Sequence, residues 1–162
     1  VADHDPRLSI APAVRVQAGP FDVGAELAAL EANRTDIGAV VSFTGRVRAH
    51  SPAGRLVAMT LEHYPGMTER QLEAIAQDAA QRWPIQAGTV IHRHGRLVPG
   101  EAIVLVAIAS AHRQAAFEAA AFLMDWLKTK APFWKQEETV EGSVSWVEAK
   151  AADDAAAARW GG

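Results

Sequence analysis

Between Ala102 and Ala109 the chain reads AIVLVAIA, without a polar residue. An apolar run of strand length predicts a central strand, or one covered by a partner. Elsewhere the period shortens to two. Gly38–Arg48 (GAVVSFTGRVR) puts Val41, Phe43, Gly45 and Val47 on one face and Ser42, Thr44, Arg46 and Arg48 on the other. Further strands are expected at Ala13–Gln17, Leu56–His63, Thr89–His94 and Val144–Ala149, and Phe133–Thr139 reads as extended.

Helical spacing occurs three times. Val23, Leu27 and Leu30 follow Asp22, a plausible N-cap, and that helix should end near Asn33. Leu72, Ile75, Ala76, Ala79 and Trp83 form the clearest amphipathic stripe, opened by a Thr68/Gln71 capping box and stopped by Pro84. The third helix begins after Ser110, its expected cap, with His112 and Arg113 in the first turn. Phe117, Ala121, Met124 and Lys128 then fall at i, i+4, i+7 and i+11, one face of a helix. Pro132 disfavours helical geometry at Ala131, so the helix should end near Lys130. Lys128 thus sits in line with an apolar stripe, as either a snorkelling cation or a working amine.

Turn signals at 49–55, 65–66, 98–101 and 141–143 separate these elements. Residues 1–12 read as a loose arm and 151–162 as an alanine-rich tail ending Trp160-Gly161-Gly162. The sum is α+β: about three helices on a mostly antiparallel sheet, within one domain over 13–150.

Composition narrows the function. With 162 residues, 49% hydrophobic and 22% charged, this is an ordinary soluble globular chain. A net charge of −3 argues against nucleic-acid binding by bulk electrostatics. There is no cysteine, hence no disulfide, thiol nucleophile or Cys-based metal site. Any sulfur chemistry must draw on another molecule. No apolar run reaches transmembrane length and no signal-peptide pattern opens the chain, so a cytoplasmic location is expected.

Three basic clusters are candidates for chemistry. Arg46 and Arg48 share a strand face. His112 and Arg113 stand at a helix N-terminus, where free N–H groups and the helix dipole favour anions. Lys128, Lys130 and Lys135 lie among Trp126, Phe133 and Trp134, which read equally as a desolvating pocket or as core with snorkelling stems. His92 and His94 can share a face, but no third metal ligand follows from spacing, so the two read as a structural or surface pair and no metal is expected. Sixteen residues of helix separate His112 from Lys128, about 24 Å. If both serve one small molecule, the site must be shared between two protomers. Nucleophile-elbow, Walker, dinucleotide and zincin motifs are absent.

The blocks VVSFTGRVRAH (40–50), TLEHYPGMTE (60–69), VIHRHG (90–95), SAHRQAAFEA (110–119) and LKTKAPFWKQE (127–137) resemble the large, catalytic subunits of molybdopterin synthase, the MoaE family. The likeness runs in order over about residues 13 to 150. It implies an α/β hammerhead-type fold with an added antiparallel sheet. It also implies a sulfurtransferase that converts cyclic pyranopterin monophosphate (precursor Z) to molybdopterin by installing the dithiolene sulfurs. A small ubiquitin-like subunit would carry each sulfur as a C-terminal Gly-Gly thiocarboxylate, in a heterotetramer built on a central dimer of large subunits. No permanently bound cofactor is implied.

By position, the resemblance makes Lys128 and Lys135 the catalytic lysines. It makes Arg46, Arg48, His112, Arg113, Gln136 and Glu137 substrate-pocket residues beside them. Lys130 and Lys150 stand where arginine is common in the family; lysine keeps the charge and loses the bidentate fork. The Gly-Gly ending is not expected of this subunit. Two other readings compete: a non-catalytic module of the same fold that holds a ubiquitin-like tail, and a generic phosphate- or nucleotide-binding domain.

Overall fold

A computed structural model describes residues 5–147 and 151–161. After a 3-10 turn at Pro6–Leu8 the elements are β1 (Ala13–Gln17), α1 (Val23–Glu31), β2 (Ala39–Arg46), β3 (His50–Ser51), β4 (Gly54–His63), α2 (Met67–Arg82), β5 (Ala87–Arg93), β6 (Gly95–Leu97), β7 (Ala102–Ser110), α3 (Arg113–Thr129), β8 (Phe133–Thr139), β9 (Val144–Val147) and α4 (Ala151–Ala158).

The unbroken apolar run becomes β7, and its position explains its composition. It lies inside a four-stranded sheet ordered β1-β5-β7-β2, and every residue from Val104 to Ser110 is buried. β1 pairs with β5 in parallel; the other pairings of this sheet are antiparallel. α3 packs on β7 and β2, and α2 packs on β1 and α3. The core between them is built from Leu72, Ile75, Val90, Val106, Ile108, Phe122 and Leu123. A second sheet, β3-β4-β8-β9 with β6 on β4, carries a smaller core of Val47, Met59, Leu61 and Leu97. Ile103 packs against both clusters and joins them. The fold is therefore α+β with mostly antiparallel strands. One buried cation closes it: Arg93 donates from Nε and Nη2 to the Ala18 carbonyl and from Nη1 to the Ala102 carbonyl. The end of β1 is thereby tied to the start of β7.

Local chemistry agrees with the sequence at some element ends and differs at others. Asp22 caps α1, accepting the Ala25 N–H at 3.0 Å. α2 begins earlier than the Thr68/Gln71 pattern implies: Gly66 is its N-cap, and the Glu69 carboxylate accepts the Gly66 N–H. Thr68 is instead fully buried, accepting from the Tyr64 N–H and donating to the Pro132 carbonyl. Ser110 does not cap α3. It is the last residue of β7 and donates to the Pro84 carbonyl, while His112 takes the N-cap position. β2 stops at Arg46 after a register shift at Gly45/Arg46, so the strand does not reach Arg48.

The largest difference concerns α3. Its buried residues are Ala116, Ala119, Ala120, Phe122, Leu123 and Leu127. The stripe Phe117, Ala121, Met124 and Lys128 is not the core face but its flank, and Phe117 is 61% exposed. Ala116, Ala119 and Ala120 share the buried face with Phe122, Leu123 and Leu127, so Phe117 and Met124 mark a flank and not the core face.

Both ends of the chain carry added order. The Ile10 N–H bonds the Ile85 carbonyl, and the Ser9 hydroxyl bonds the Trp83 carbonyl. The alanine-rich tail forms α4, which packs on α3 and sets Trp160 edge-on to Phe122 and Trp83. The expected strand Val144–Ala149 is present as far as Val147; Ala149 lies outside the described residues.

Phe122 touches the rings of Trp83, Trp126 and Trp160 and is fully buried. Phe122→Ala should therefore lower unfolding stability by about 3–5 kcal/mol, measured by urea denaturation followed through tryptophan fluorescence.

Candidate active site

Three separate elements bring cations to one cleft. Lys128 stands in the last turn of α3, Lys135 lies on β8 opposite Leu61 of β4, and Arg46 ends β2. Together with apolar walls that include Phe43, Met59, Leu61, Ile103 and Met124, they line a cavity of about 130 Å³. Apolar walls lower the local dielectric and strengthen any charge interaction made inside. The Arg46 guanidinium is held by the Gly100 carbonyl at 2.8 Å. Lys128 makes no hydrogen bond or ion pair among the described residues, and its side chain is exposed.

The aromatic residues flanking these lysines in sequence do not wrap them. Alternation along β8 puts Lys135 and Glu137 on one face and Trp134 and Gln136 on the other. Trp134 is accordingly 48% exposed. Lys130 leaves the cluster as well, its Nζ standing 5.3 Å from the centroid of the Trp126 ring. Phe133 stacks on His92, ring centroids 3.7 Å apart and nearly parallel.

His92, read in sequence as half of a structural or surface pair, is a wall of the lysine cleft. Its Nδ1 lies 2.8 Å from the Arg93 carbonyl. A carbonyl can only accept, so Nδ1 carries the proton and Nε2 is the bare acceptor. Burial pushes the His92 pKa down to about 4; the carbonyl opposes this, and the charge of Lys128 adds to it, with smaller contributions from His63 and His94. His92 is a neutral group among cations. His94 lies beyond the end of β5 and meets the His63 ring at 4.2 Å. Among the described residues no three His, Asp or Glu side chains are grouped to hold a metal.

Glu137 is buried, and one carboxylate oxygen accepts the Ser51 hydroxyl at 2.9 Å. This contact fastens the β3–β4 hairpin over the β8 face that bears Lys135. Arg48 is exposed and lines none of the cleft, and Gln136 points to the opposite side of its sheet. Lys150 lies outside the described residues.

The second cation group sits at the other end of α3. His112 and Arg113 line a wide cleft of about 770 Å³ with Gly38, Gln114, Phe117 and Glu118. Gly38 is needed for the close approach there: a Cβ would stand 2.0 Å from the Ala111 carbonyl oxygen. None of the lysine-cleft residues lines this second cleft. Within one chain, the helix length expected from sequence holds the two groups apart.

A family model described as "MoaE protein" matches residues 16–130. The chain belongs to the MoaE family. A molybdopterin synthase catalytic subunit from Mesorhizobium japonicum is 60% identical over 152 residues, 93% of this chain and 94% of that one. The MoaE structure from Burkholderia ambifaria superposes with a TM-score of 0.79 at 50% identity, covering 93% of this chain and 99% of that chain. More distantly, the complex of subunits 1 and 2 of molybdopterin-converting factor from Helicobacter pylori shares the fold, with a TM-score of 0.68 at 21% identity over 85% of this chain and 90% of that one. The MoaE frame thus carries, in this chain, the lysine cleft on one side of α3 and the His112–Arg113 cleft at its start.

Neutral His92 has a consequence for stability. The unfolded chain takes up a proton near the ordinary histidine value of 6.5, while the folded protein resists until about pH 4. Between these values the unfolded state binds more protons, so stability falls as the pH falls through that window, by about 3 kcal/mol over its full width. Urea midpoints at pH 7 and pH 5 should differ less in His92→Gln than in the parent protein.

Proposed function

We propose that this chain is the catalytic subunit of a molybdopterin synthase, transferring sulfur from the thiocarboxylated C-terminus of a small ubiquitin-like subunit to cyclic pyranopterin monophosphate. The observation that carries the reading is the convergence of Lys128, Lys135 and Arg46, from α3, β8 and β2, on one small cleft with apolar walls. The catalytic-subunit relatives support it, and in the Helicobacter pylori complex the same fold holds a second subunit.

The chain has no cysteine, so the sulfur arrives on the partner. Lys128, without an ion-pair partner, is suited to move a proton at the reacting carbon, or as the free amine to attack the acyl carbon of the thiocarboxylate, where the new C–N bond replaces the C–S bond and the sulfur leaves as hydrosulfide for the pterin. Lys135 stabilises negative charge developing there. Arg46 adds a cation for the substrate phosphate, although one of its donors is already committed to Gly100. His112 and Arg113 stand too far along α3 to reach the same molecule. They serve a neighbouring protomer in a central dimer, as exposed donors beside the free N–H groups of a helix start. Glu137 acts by setting the β3–β4 hairpin against β8.

The test is the synthase reaction with thiocarboxylated small subunit and pterin substrate. Lys128→Ala should lower the rate by about 10²- to 10⁴-fold; full activity in that variant would remove the lysine from the chemistry. Sharing of the site has its own measurement. Lys128→Ala and His112→Ala proteins, each inactive alone, should regain part of the activity once their subunits are mixed. Proven mixing without recovery counts against a shared site.

A further inference from the structure

Asp125 lies one turn before Lys128, and both border the shallow groove between α3 and β2 that Val41, Phe43 and Ala121 line. An acid and a base at i and i+3 on a helix ordinarily pair. Here they do not. The Asp125 carboxylate is taken by the chain's end: Oδ2 accepts the Trp160 indole N–H at 2.6 Å and lies 3.0 Å from the Arg159 guanidinium. The Arg159 guanidinium in turn covers the Trp160 ring at 4.6 Å. Trp160 is held on its other sides, edge-on to Trp83 and Phe122, with its carbonyl accepting from Arg82 at 2.7 Å. The Asp125 side chain is consequently only 19% exposed.

We propose that Arg159 and Trp160 are positioning residues for Lys128: they hold the Asp125 carboxylate toward α4 and so leave the Lys128 amine without a counter-ion. The other charged or titratable groups that line the lysine cleft are Arg46 on β2, His92 on β5 and Lys135 on β8, while Glu137, on the Lys135 face of β8, lies outside the lining with its carboxylate on the Ser51 hydroxyl. Two are cations and His92 is neutral, so none of them offers Lys128 a negative charge. Asp125 is the acid one helical turn away, and the tail removes it. An ammonium paired with a carboxylate gives up its proton less readily than an unpaired one. Release of the clamp therefore makes Lys128 a poorer nucleophile and a poorer base near neutral pH. For its catalytic consequence the inference rests on the lysine role proposed above; the clamp itself does not.

The experiment separates the two. Arg159→Gln removes the cation beside Asp125, and adding Trp160→Phe removes the indole donor while keeping a ring against Trp83 and Phe122. In the assembled two-subunit protein, the rate at which Lys128 is acylated by an amine-selective reagent is followed by mass spectrometry of its peptide. That rate should fall about twofold in the double variant, as expected for an exposed ion pair, with a smaller fall in Arg159→Gln. Adding Asp125→Asn should restore it. In parallel, kcat/KM at neutral pH should fall by a similar factor and return with Asp125→Asn. An unchanged acylation rate, or one that Asp125→Asn fails to restore, overturns the clamp. Slower acylation restored by Asp125→Asn supports it even where activity does not follow, in which case the lysine's role in the reaction is what fails.

Discussion

How close α3 can come to the four-stranded sheet sets the rest of this structure. The residues it presents to the sheet are in large part alanines: Ala116, Ala119 and Ala120 are essentially without exposure. An alanine side chain ends at Cβ, so the helix can settle directly on Val104, Val106 and Ile108 of β7. Leu123 and Leu127 complete that buried face. Phe122 fills the gap toward α2 and α4, while Met124 and Lys128 flank the other edge, above β2. The lysine is held at the lip of a cleft because the helix beneath it is packed too tightly to turn or slide.

That packing gives the site its chemical character. Lys128 is carried by the helix, Lys135 by the second sheet and Arg46 by a strand end next to a register shift. Three cations drawn from separate elements repel one another, and the fold tolerates them because backbone, solvent or an absent acid deals with each. Gly100 holds Arg46, and Asp125 is turned away from Lys128. The site is rich in positive charge, the condition that an anionic substrate relieves on binding.

Long elements with one dominant signal were legible in the sequence. β7 was plain because nothing polar interrupts it, and α2 because its large apolar residues and its buried residues coincide. α3 was legible as a helix but not in its orientation: alanine weighs little in a hydrophobic pattern, and Phe117 with Met124 outweighed the positions that actually touch the sheet. The cations at Lys128, Lys135 and Arg46 were identifiable as candidates, yet nothing local indicates that Phe133 turns to His92 rather than to the lysines. The Ser51–Glu137 contact spans 86 residues and leaves no periodic trace. α4 was hidden for a related reason. A run of alanines broken by two aspartates has no apolar face, and its anchor, Trp160, lies beyond the helix it secures. His92 carried a faint signal, a strand position directly after the apolar pair Val90 and Ile91, that its neighbour His94 obscured.

The parallel pairing of β1 with β5 bears on how the chain is made. β1 is an edge strand paired with β5, with Ala13 opposite Thr89. During synthesis β1 precedes its partner, and α1, β2, β3, β4 and α2 are made between the two. Its alternating sequence, with Arg15 and Gln17 interleaved among Val14 and Val16, keeps that waiting segment from being uniformly apolar. β1 can pair only after the elements between it and β5 have been made, and its polar positions guard the exposed edge in the interval.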